Sequence, residues 1–233
     1  MSVTAPKGFR AAGVTAGLKP SGSPDIALVV NDGPSRAAAA VFTANRCKAN
    51  PVLWSEQVCK DGQVRAVVLN SGGANCYTGP EGFQNTHASA ELVASLLGIG
   101  AVDVAVCSTG LIGEQLQRGR LLAAMQDAVE QLTVDGGDAA ATAIMTTDTR
   151  SKQATYDGAG WSVGGMAKGA GMLAPSLATM LVVLTTDAEL DATTADQVLR
   201  SATATTFDRL DSDGCMSTND TVLLLASGAS GIA

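Results

Sequence analysis

Short runs of apolar residues, each closed by a turn signal, recur along this chain of 233 residues. Runs of four to eight apolar residues bounded by Gly, Pro, Asn or Asp are typical of buried strands. They predict strands at Ile26–Val30, Ala37–Thr43, Pro51–Trp54, Val64–Leu69, Val102–Cys107, Met180–Leu184 and Asp220–Ala226. Two further runs, Gln153–Tyr156 and Trp161–Val163, flank Asp157-Gly158 and predict a hairpin.

Between several of these strands, apolar residues recur with the helical period. The pattern predicts helices from the N-cap Thr86 to Gly98, from Glu114 to Thr133, from the N-cap Asp138 to Ile144, and after the N-cap Asp191. His87, the only histidine, falls in the first turn of the first of these helices. Since strands and helices alternate irregularly, the sequence favours an α+β layered architecture over a regular doubly wound sheet.

Composition excludes several classes of function. The net charge is −7, aromatic residues make up 3%, and no Lys/Arg cluster occurs, which argues against a nucleic-acid-binding surface. No apolar run approaches the roughly 18 residues of a membrane helix, and the N-terminal residues lack an apolar signal-peptide core. We therefore expect a soluble, cytoplasmic protein with no membrane partner.

Cysteine and histidine usage limits the metal and redox chemistry. The five cysteines are widely spaced and form no C-x-x-C motif, so we expect reduced, mostly buried thiols rather than disulfides or a zinc site. A single histidine excludes a multi-histidine metal site, and we expect no bound metal.

Three Gly-rich loops follow predicted strands or precede one: Asn70–Asn75, Ser108–Gly113 and Lys168–Gly171. Such loops can present backbone amides to a phosphate or to a developing oxyanion. The chain has neither a phosphate-binding glycine signature nor the G-x-S-x-G elbow of a serine hydrolase. On composition alone, Gly169-Ala170-Gly171 is a turn and Lys168 a solvated lysine.

If the chain performs acyl chemistry, its base is therefore unlike that of a histidine-dependent hydrolase. Cleavage just before a Thr or Ser frees an α-amino group next to that residue's own hydroxyl. The unperturbed pKa of this amine, about 7.7–8.0, suits a general base at neutral pH. Ala178-Thr179 is chemically suitable for such a cut, although composition alone does not distinguish Thr179 from the other threonines.

Four motifs, in order, carry a resemblance to a known family. Lys168-Gly169-Ala170-Gly171-Met172, followed by Pro175 and Ala178-Thr179-Met180-Leu181, resembles the self-cleavage region of the ornithine acetyltransferases, the bifunctional glutamate N-acetyltransferases of arginine biosynthesis. Cys107–Gly113 resembles the oxyanion loop of that family, and Ala143–Thr149 a substrate-contacting segment. Ser217–Thr221 is similar to a further signature, so the resemblance covers essentially the whole chain.

The resemblance implies a mechanism and a set of site residues. The precursor would cleave itself between Ala178 and Thr179, and Thr179 would become the nucleophile that carries acetyl from N-acetylornithine to glutamate. Acetyl-CoA is a possible further donor, and no metal or organic cofactor is expected. Thr109 and Gly110 would stabilise the oxyanion. The residues implied to contact substrate are Thr146, Lys168 and Thr179.

The resemblance also implies an architecture: an α-β-β-α layered fold in a heterotetramer of two α and two β chains. Residues 1–178 would form the α chain and residues 179–233 the first part of the β chain. Because family chains are longer, we expect the fold to be incomplete at the C-terminus. Two other interpretations remain open at this point: an amidase or aminopeptidase on a related self-cleaving scaffold, and a fragment that is inactive without the remainder of the β chain.

Overall fold

The structure, a computed structural model, describes residues 2–172 and 180–233. Its strands are β1 (Phe9–Val14), β2 (Ile26–Asn31), β3 (Ala38–Phe42), β4 (Ala66–Asn70), β5 (Val104–Ser108), β6 (Lys152–Asp157), β7 (Ser162–Lys168), β8 (Leu181–Thr186) and β9 (Thr221–Ala226). Its α-helices are α1 (Asn50–Val58), α2 (Gly79–Leu97), α3 (Arg118–Glu130), α4 (Gly137–Ala143) and α5 (Ala192–Thr205).

The strands form two mixed sheets. The first sheet has the order β1-β2-β4-β5, in which only the β4–β5 pair is parallel. The second sheet has the order β3-β9-β8-β7-β6, in which only the β9–β8 pair is parallel. Both parallel pairs matter for the site described below, because parallel strands begin and end at the same edge of a sheet.

The two sheets pack face to face and carry helices on their outer faces. A central apolar cluster joins the inner faces of both sheets and includes α4. A second cluster joins the other face of the first sheet to α2 and α3, and a third joins the other face of the second sheet to α5. The α-β-β-α layering that the resemblance implied is thus confirmed for the described residues.

Burial on both faces explains why these strands are continuous apolar runs rather than alternating ones. In β2, Ile26 and Leu28 lie in the cluster that contains α2 and α3, whereas Ala27 and Val29 lie between the sheets. All six residues of β2 are buried. Since successive side chains of a strand point to opposite faces, each face of β2 needs its own apolar set.

Pro51–Trp54, predicted as a strand, is instead part of α1, and that prediction was wrong. A proline is well tolerated in the first turn of a helix because the amide it lacks would have no helical partner there. The helix lies along the edge strand β5. Trp54 Nε1 donates to the Val104 carbonyl at 3.0 Å, and Ser55 Oγ donates to the Val106 carbonyl at 2.7 Å. These bonds satisfy polar groups of β5 that would otherwise lie open at the sheet edge.

Thr86 was also wrong as an N-cap, because α2 already begins at Gly79. The Thr86 hydroxyl donates back to the Gly82 carbonyl at 3.2 Å, a bond typical of a helix interior. His87 therefore lies in the middle of α2, with its ring centroid 5.0 Å from that of Trp54. The predicted end of this helix is confirmed, since Gly98 follows it with φ +68°.

The other predicted helices are found with shifted boundaries. The helix predicted from Glu114 is shorter, since α3 begins at Arg118. Asp138 lies in the first turn of α4 rather than at its N-cap. The Asp191 cap is confirmed, because its side chain accepts from the Thr194 amide at 2.6 Å. Within residues 2–172 and 180–233, no helix combines the length and the apolar composition that a membrane span requires.

Candidate active site

The polar strand ends of the two sheets meet at one place. In the second sheet, Lys168 at the end of β7 pairs with Leu181 of β8, which pairs with Thr221 of β9. In the first sheet, the parallel strands β4 and β5 end side by side at Asn70 and Ser108. The end of β7 and the beginnings of β8 and β9 therefore face the loops that follow β4 and β5.

Asn219, just before β9, connects these strand ends across the two sheets. Its Nδ2 donates to the Ala74 carbonyl at 2.6 Å and to the Ser108 carbonyl at 2.9 Å. Its Oδ1 accepts from the Thr218 hydroxyl at 2.5 Å. Only 4% of Asn219 is exposed. A buried amide with these partners holds the loop after β4, the end of β5 and the start of β9 in one arrangement.

Thr109 and Gly110 form a tight turn directly after β5. Thr109 is buried, and its amide donates to the Asn70 carbonyl at 2.9 Å. Gly110 has φ +128°, and a Cβ added there would lie 2.8 Å from the Gly73 nitrogen. Only glycine fits this backbone and this close approach. No described residue accepts a hydrogen bond from the Gly110 amide, so that N–H is free to bind a ligand oxygen.

Gly110→Ala is expected to destabilise the protein for two reasons. Backbone strain at this φ costs about 1–3 kcal/mol, and the new methyl group also collides with the Gly73 backbone. Gly113→Ala is the matched control, because Gly113 has φ +88° but nothing within 4 Å of its added Cβ. Urea unfolding should show the larger loss for Gly110→Ala. Equal losses would mean that the approach to Gly73 carries no cost.

Lys168 is the buried cation of the site. The expectation that it lies in a Gly-rich loop or is solvated was wrong, because it is the last residue of β7 and is only 3% exposed. Its Nζ donates to Thr109 Oγ1 at 3.3 Å. Burial lowers the pKa of Lys168, and the nearby Asp148 carboxylate opposes that shift. Because an ammonium group can only donate, the Thr109 hydroxyl accepts this bond and keeps its own proton for another acceptor.

Asp148 joins the two segments that contain the predicted substrate contacts. Its carboxylate accepts from the Thr146 amide at 3.2 Å and from the Gly169 amide at 2.9 Å, and it also pairs with Lys152. Burial by itself would raise the pKa of Asp148, but these hydrogen bonds hold it below its ordinary value. Half-buried Thr146 is thereby held close to the residue that follows Lys168.

Asp220 lies at the second-sheet side of the site. It is fully buried, and its Oδ1 accepts from the Met180 amide at 3.0 Å. Burial raises the pKa of Asp220 to about 7. The predicted cleavage residues Ala178 and Thr179 lie outside the described residues. Met180, which directly follows Thr179 in the chain, is buried at this site.

The structure thus brings together the predicted residues Thr109, Gly110 and Lys168, and connects Thr146 to them through Asp148. Sequence reasoning assigned no role to Asp148, Asn219 or Asp220, although all three lie inside the motifs that carried the resemblance. For Asp220 a signal was present, since an aspartate directly before a fully apolar strand needs a partner inside the protein.

This arrangement can stabilise negative charge on an oxygen atom. It offers the Thr109 hydroxyl polarised by Lys168, and the Gly110 amide in a turn fixed by packing. The only histidine lies on α2 beside Trp54, so it supplies none of the hydrogen bonds described at this site. A cavity of about 790 Å³ between β3, α1 and α5 is lined by none of these residues.

Comparison with known proteins identifies close relatives. The model of the ArgJ family matches residues 10–232. The arginine biosynthesis bifunctional protein ArgJ of Streptomyces coelicolor is 67% identical over 232 residues, which make up 100% of this chain and 61% of that protein. The chain therefore spans about three fifths of the length of this curated relative.

Two solved structures are informative. Ornithine acetyltransferase from Mycobacterium tuberculosis, crystallised with ornithine, is 58% identical with a TM-score of 0.74, and the match covers 75% of this chain and 95% of that chain. The L-aminopeptidase D-Ala-esterase/amidase of Ochrobactrum anthropi, described as a variant of the Ntn-hydrolase fold, is 13% identical with a TM-score of 0.52. That match covers 97% of this chain and 73% of the amidase, and at this identity it shows a shared fold alone.

Proposed function

The chain belongs to the ArgJ family, and from that premise we propose that it acts in arginine biosynthesis as a self-cleaving acetyltransferase that moves acetyl from N-acetylornithine to glutamate. The observation that carries the proposal is the meeting of Lys168, Thr109 and Gly110 with Met180, the residue after the proposed nucleophile. A cation, a hydroxyl and a free amide converge where the chain enters β8. Such a set suits acyl transfer through an oxyanion.

In the proposed cleavage, the Thr179 hydroxyl attacks the Ala178 carbonyl, the amide becomes an ester, and water opens that ester. Residues 1–178 then form the α chain, and the β chain begins at Thr179. Asp220 supports this geometry, because its bond to the Met180 amide holds the chain on the β-chain side of the cut. A division there leaves about three quarters of this chain in the α piece, and the match to the solved Mycobacterium tuberculosis chain covers 75% of it.

In the proposed transfer, the α-amino group of Thr179 removes the hydroxyl proton as the oxygen attacks the acetyl carbonyl. The Thr109 hydroxyl and the Gly110 amide donate to the oxyanion. Ornithine departs as an amine that takes up the proton, which leaves acetyl-Thr179. The amine of glutamate then attacks this ester, and the threonine hydroxyl is restored. Acetyl-CoA is a second possible acetyl donor by the same route.

Substrate recognition is proposed to involve Thr146, Lys168 and Thr179. Lys168 uses one proton on Thr109 and has two more to offer to an anionic group of the substrate. Asp148 holds Thr146 and Gly169 in place around it. Every group that this scheme requires belongs to the chain or to the substrates, so we propose no metal and no organic cofactor.

We further propose that the active assembly is a heterotetramer of two α and two β chains, in the cytoplasm, without nucleic-acid or membrane partners. The described fold leaves room for additional chain, because α5 alone covers the outer face of the second sheet among the described residues. Part of that face, lined by Ala154, Ala167 and Leu184, forms a small cavity of about 180 Å³.

Intact mass and acetyl exchange test this function on the full-length protein. We expect two pieces that divide between Ala178 and Thr179, and isotope-labelled acetyl should pass from N-acetylornithine to glutamate. Release of free acetate that does not depend on glutamate would favour an amidase instead, the activity class that shares this fold. A whole chain that transfers acetyl at a normal rate would contradict the N-terminal nucleophile.

A further inference from the structure

Asp220 has one carboxylate oxygen without a partner. Its Oδ1 accepts from the Met180 amide, but Oδ2 receives no hydrogen bond from any described residue, although the side chain is fully buried. The hydroxyls of Ser217 and Thr43 lower the pKa of Asp220 from nearby without bonding to Oδ2, and Thr43 donates instead to the Ser217 carbonyl at 2.7 Å. An unpaired buried carboxylate oxygen is costly and requires an explanation.

The position of Asp220 supplies one. The amide that it binds belongs to Met180, so the next residue toward the N-terminus is Thr179. Standard bond lengths place the nitrogen of any residue within roughly 4 Å of the nitrogen of the residue that follows it. A carboxylate that holds the Met180 nitrogen at 3.0 Å is therefore within short reach of an amine at position 179.

We propose that Asp220 is the counter-ion of the α-amino group released at Thr179, with Oδ2 as the acceptor for its ammonium form. The inference rests on the proposed function, because the amine exists only after the chain is cut. Before the cut, residue 179 contributes a neutral amide and Oδ2 stays without a charged partner. After the cut, the ammonium group offers three donors, and the buried carboxylate gains both a hydrogen bond and a compensating charge.

The charges around the amine explain why such a counter-ion is needed. Lys168 is the charged group that acts on Asp220 from β7, while Thr43 and Ser217 contribute only neutral hydroxyls. Burial and the Lys168 cation would both lower the pKa of an amine at this position. Asp220 offsets these two effects and keeps the pKa of the amine near the working pH, where it serves best as a general base.

Asp148, Lys152 and Lys19 also belong to this charge balance, because they act on Lys168. Asp148 raises the pKa of Lys168, whereas the two lysines lower it. Their influence on the amine passes through Lys168, so replacing Asp220 removes the one carboxylate bonded next to position 179 and leaves the rest of the balance in place.

The test measures the pKa of the amine itself. The protein is assembled from residues 1–178 and from a separate piece that begins Met-Thr179, from which the host removes the methionine, so the amine is present whether or not self-cleavage occurs. With ¹⁵N-threonine in the second piece, the amine nitrogen is followed by NMR as the pH changes. In Asp220→Asn, the pKa of the amine should fall by about one unit or more, and the acid limb of kcat/KM should move to lower pH.

Two comparisons make the result decisive. Asp187→Asn removes another buried carboxyl, which binds the amides of Lys7 and Ser162 away from the site, and it should leave the amine pKa unchanged. In the unsubstituted protein, which avoids any folding defect of the variant, the Asp220 carboxyl and the amine should titrate together as a coupled pair.

An amine pKa that is equal in Asp220→Asn and in the unsubstituted protein would overturn the inference, as would independent titration of the two groups. Failure of the single-chain protein to cut itself or to transfer acetyl would instead overturn the proposed function. The assembled two-piece protein still reports the amine pKa in that case, so the two failures are distinguished.

Discussion

Thr179→Ala is expected to remain one uncut chain and to lose acetyl transfer. Alanine has no hydroxyl to attack the Ala178 carbonyl, and no oxygen on which to carry the acetyl group. When the same substitution is made in the two-piece protein, which needs no self-cleavage, kcat should fall by a factor on the order of 10⁶, as for the removal of a nucleophile that acts with its base as a unit. The measurements are intact mass and the rate of acetyl exchange.

The loss should occur without unfolding. The bond from the Met180 amide to Asp220 involves the backbone, so a changed side chain at position 179 leaves the anchor of β8 in place. Thr179→Ser is the matched control, because it keeps the hydroxyl and should still cut and transfer acetyl, although more slowly. If the two-piece Thr179→Ala protein were to transfer acetyl at the rate of the Thr179→Ser protein, Thr179 would not be the nucleophile.

Thr109→Val is expected to lower kcat by about 10²–10³-fold, the usual cost of removing one donor to an oxyanion. Valine has nearly the same shape as threonine but lacks the hydroxyl that Lys168 polarises. The buried ammonium of Lys168 also loses a hydrogen-bond acceptor, so some loss of stability should accompany the loss of rate. Steady-state kinetics that separate kcat from KM, together with thermal unfolding, measure the two effects.

Thr109→Ser restores the hydroxyl and is expected to recover most of the rate. A rise in KM with an unchanged kcat in Thr109→Val would show that the hydroxyl binds the ground state and the transition state equally. That outcome would remove Thr109 from the oxyanion site while leaving its contact with Lys168 intact.

Much of the site could be predicted from the sequence, but its electrostatics could not. The residues Thr109, Gly110, Thr146 and Lys168 were all predicted, and the structure connects them. Lys168 was expected in a flexible loop because glycines follow it, yet pairing with β8 makes it the buried end of a strand. A local pattern does not report the strands that pack on either side, so neither this burial nor the pKa shifts of Lys168 and Asp220 could be predicted.

Helix boundaries failed for a similar reason. The segment from Pro51 to Trp54 is apolar enough to form a strand, and it became a helix because Trp54 and Ser55 bond to the edge of β5. Those partners lie about fifty positions further along the chain. A preference of a few tenths of a kcal/mol per residue is easily overridden by tertiary contacts of this kind.

The sequence by itself determined the alternation of buried strands and amphipathic helices, the turn at Gly110 and the absence of a histidine-based catalyst, because period, chirality and composition act locally. Only the tertiary structure decided that Thr109 meets Lys168, 59 positions away, and that Asn219 reaches Ala74, 145 positions away. Such pairs depend on the register of two sheets and on how their faces pack. Register is set by burial across the whole molecule, which no single segment of the chain contains.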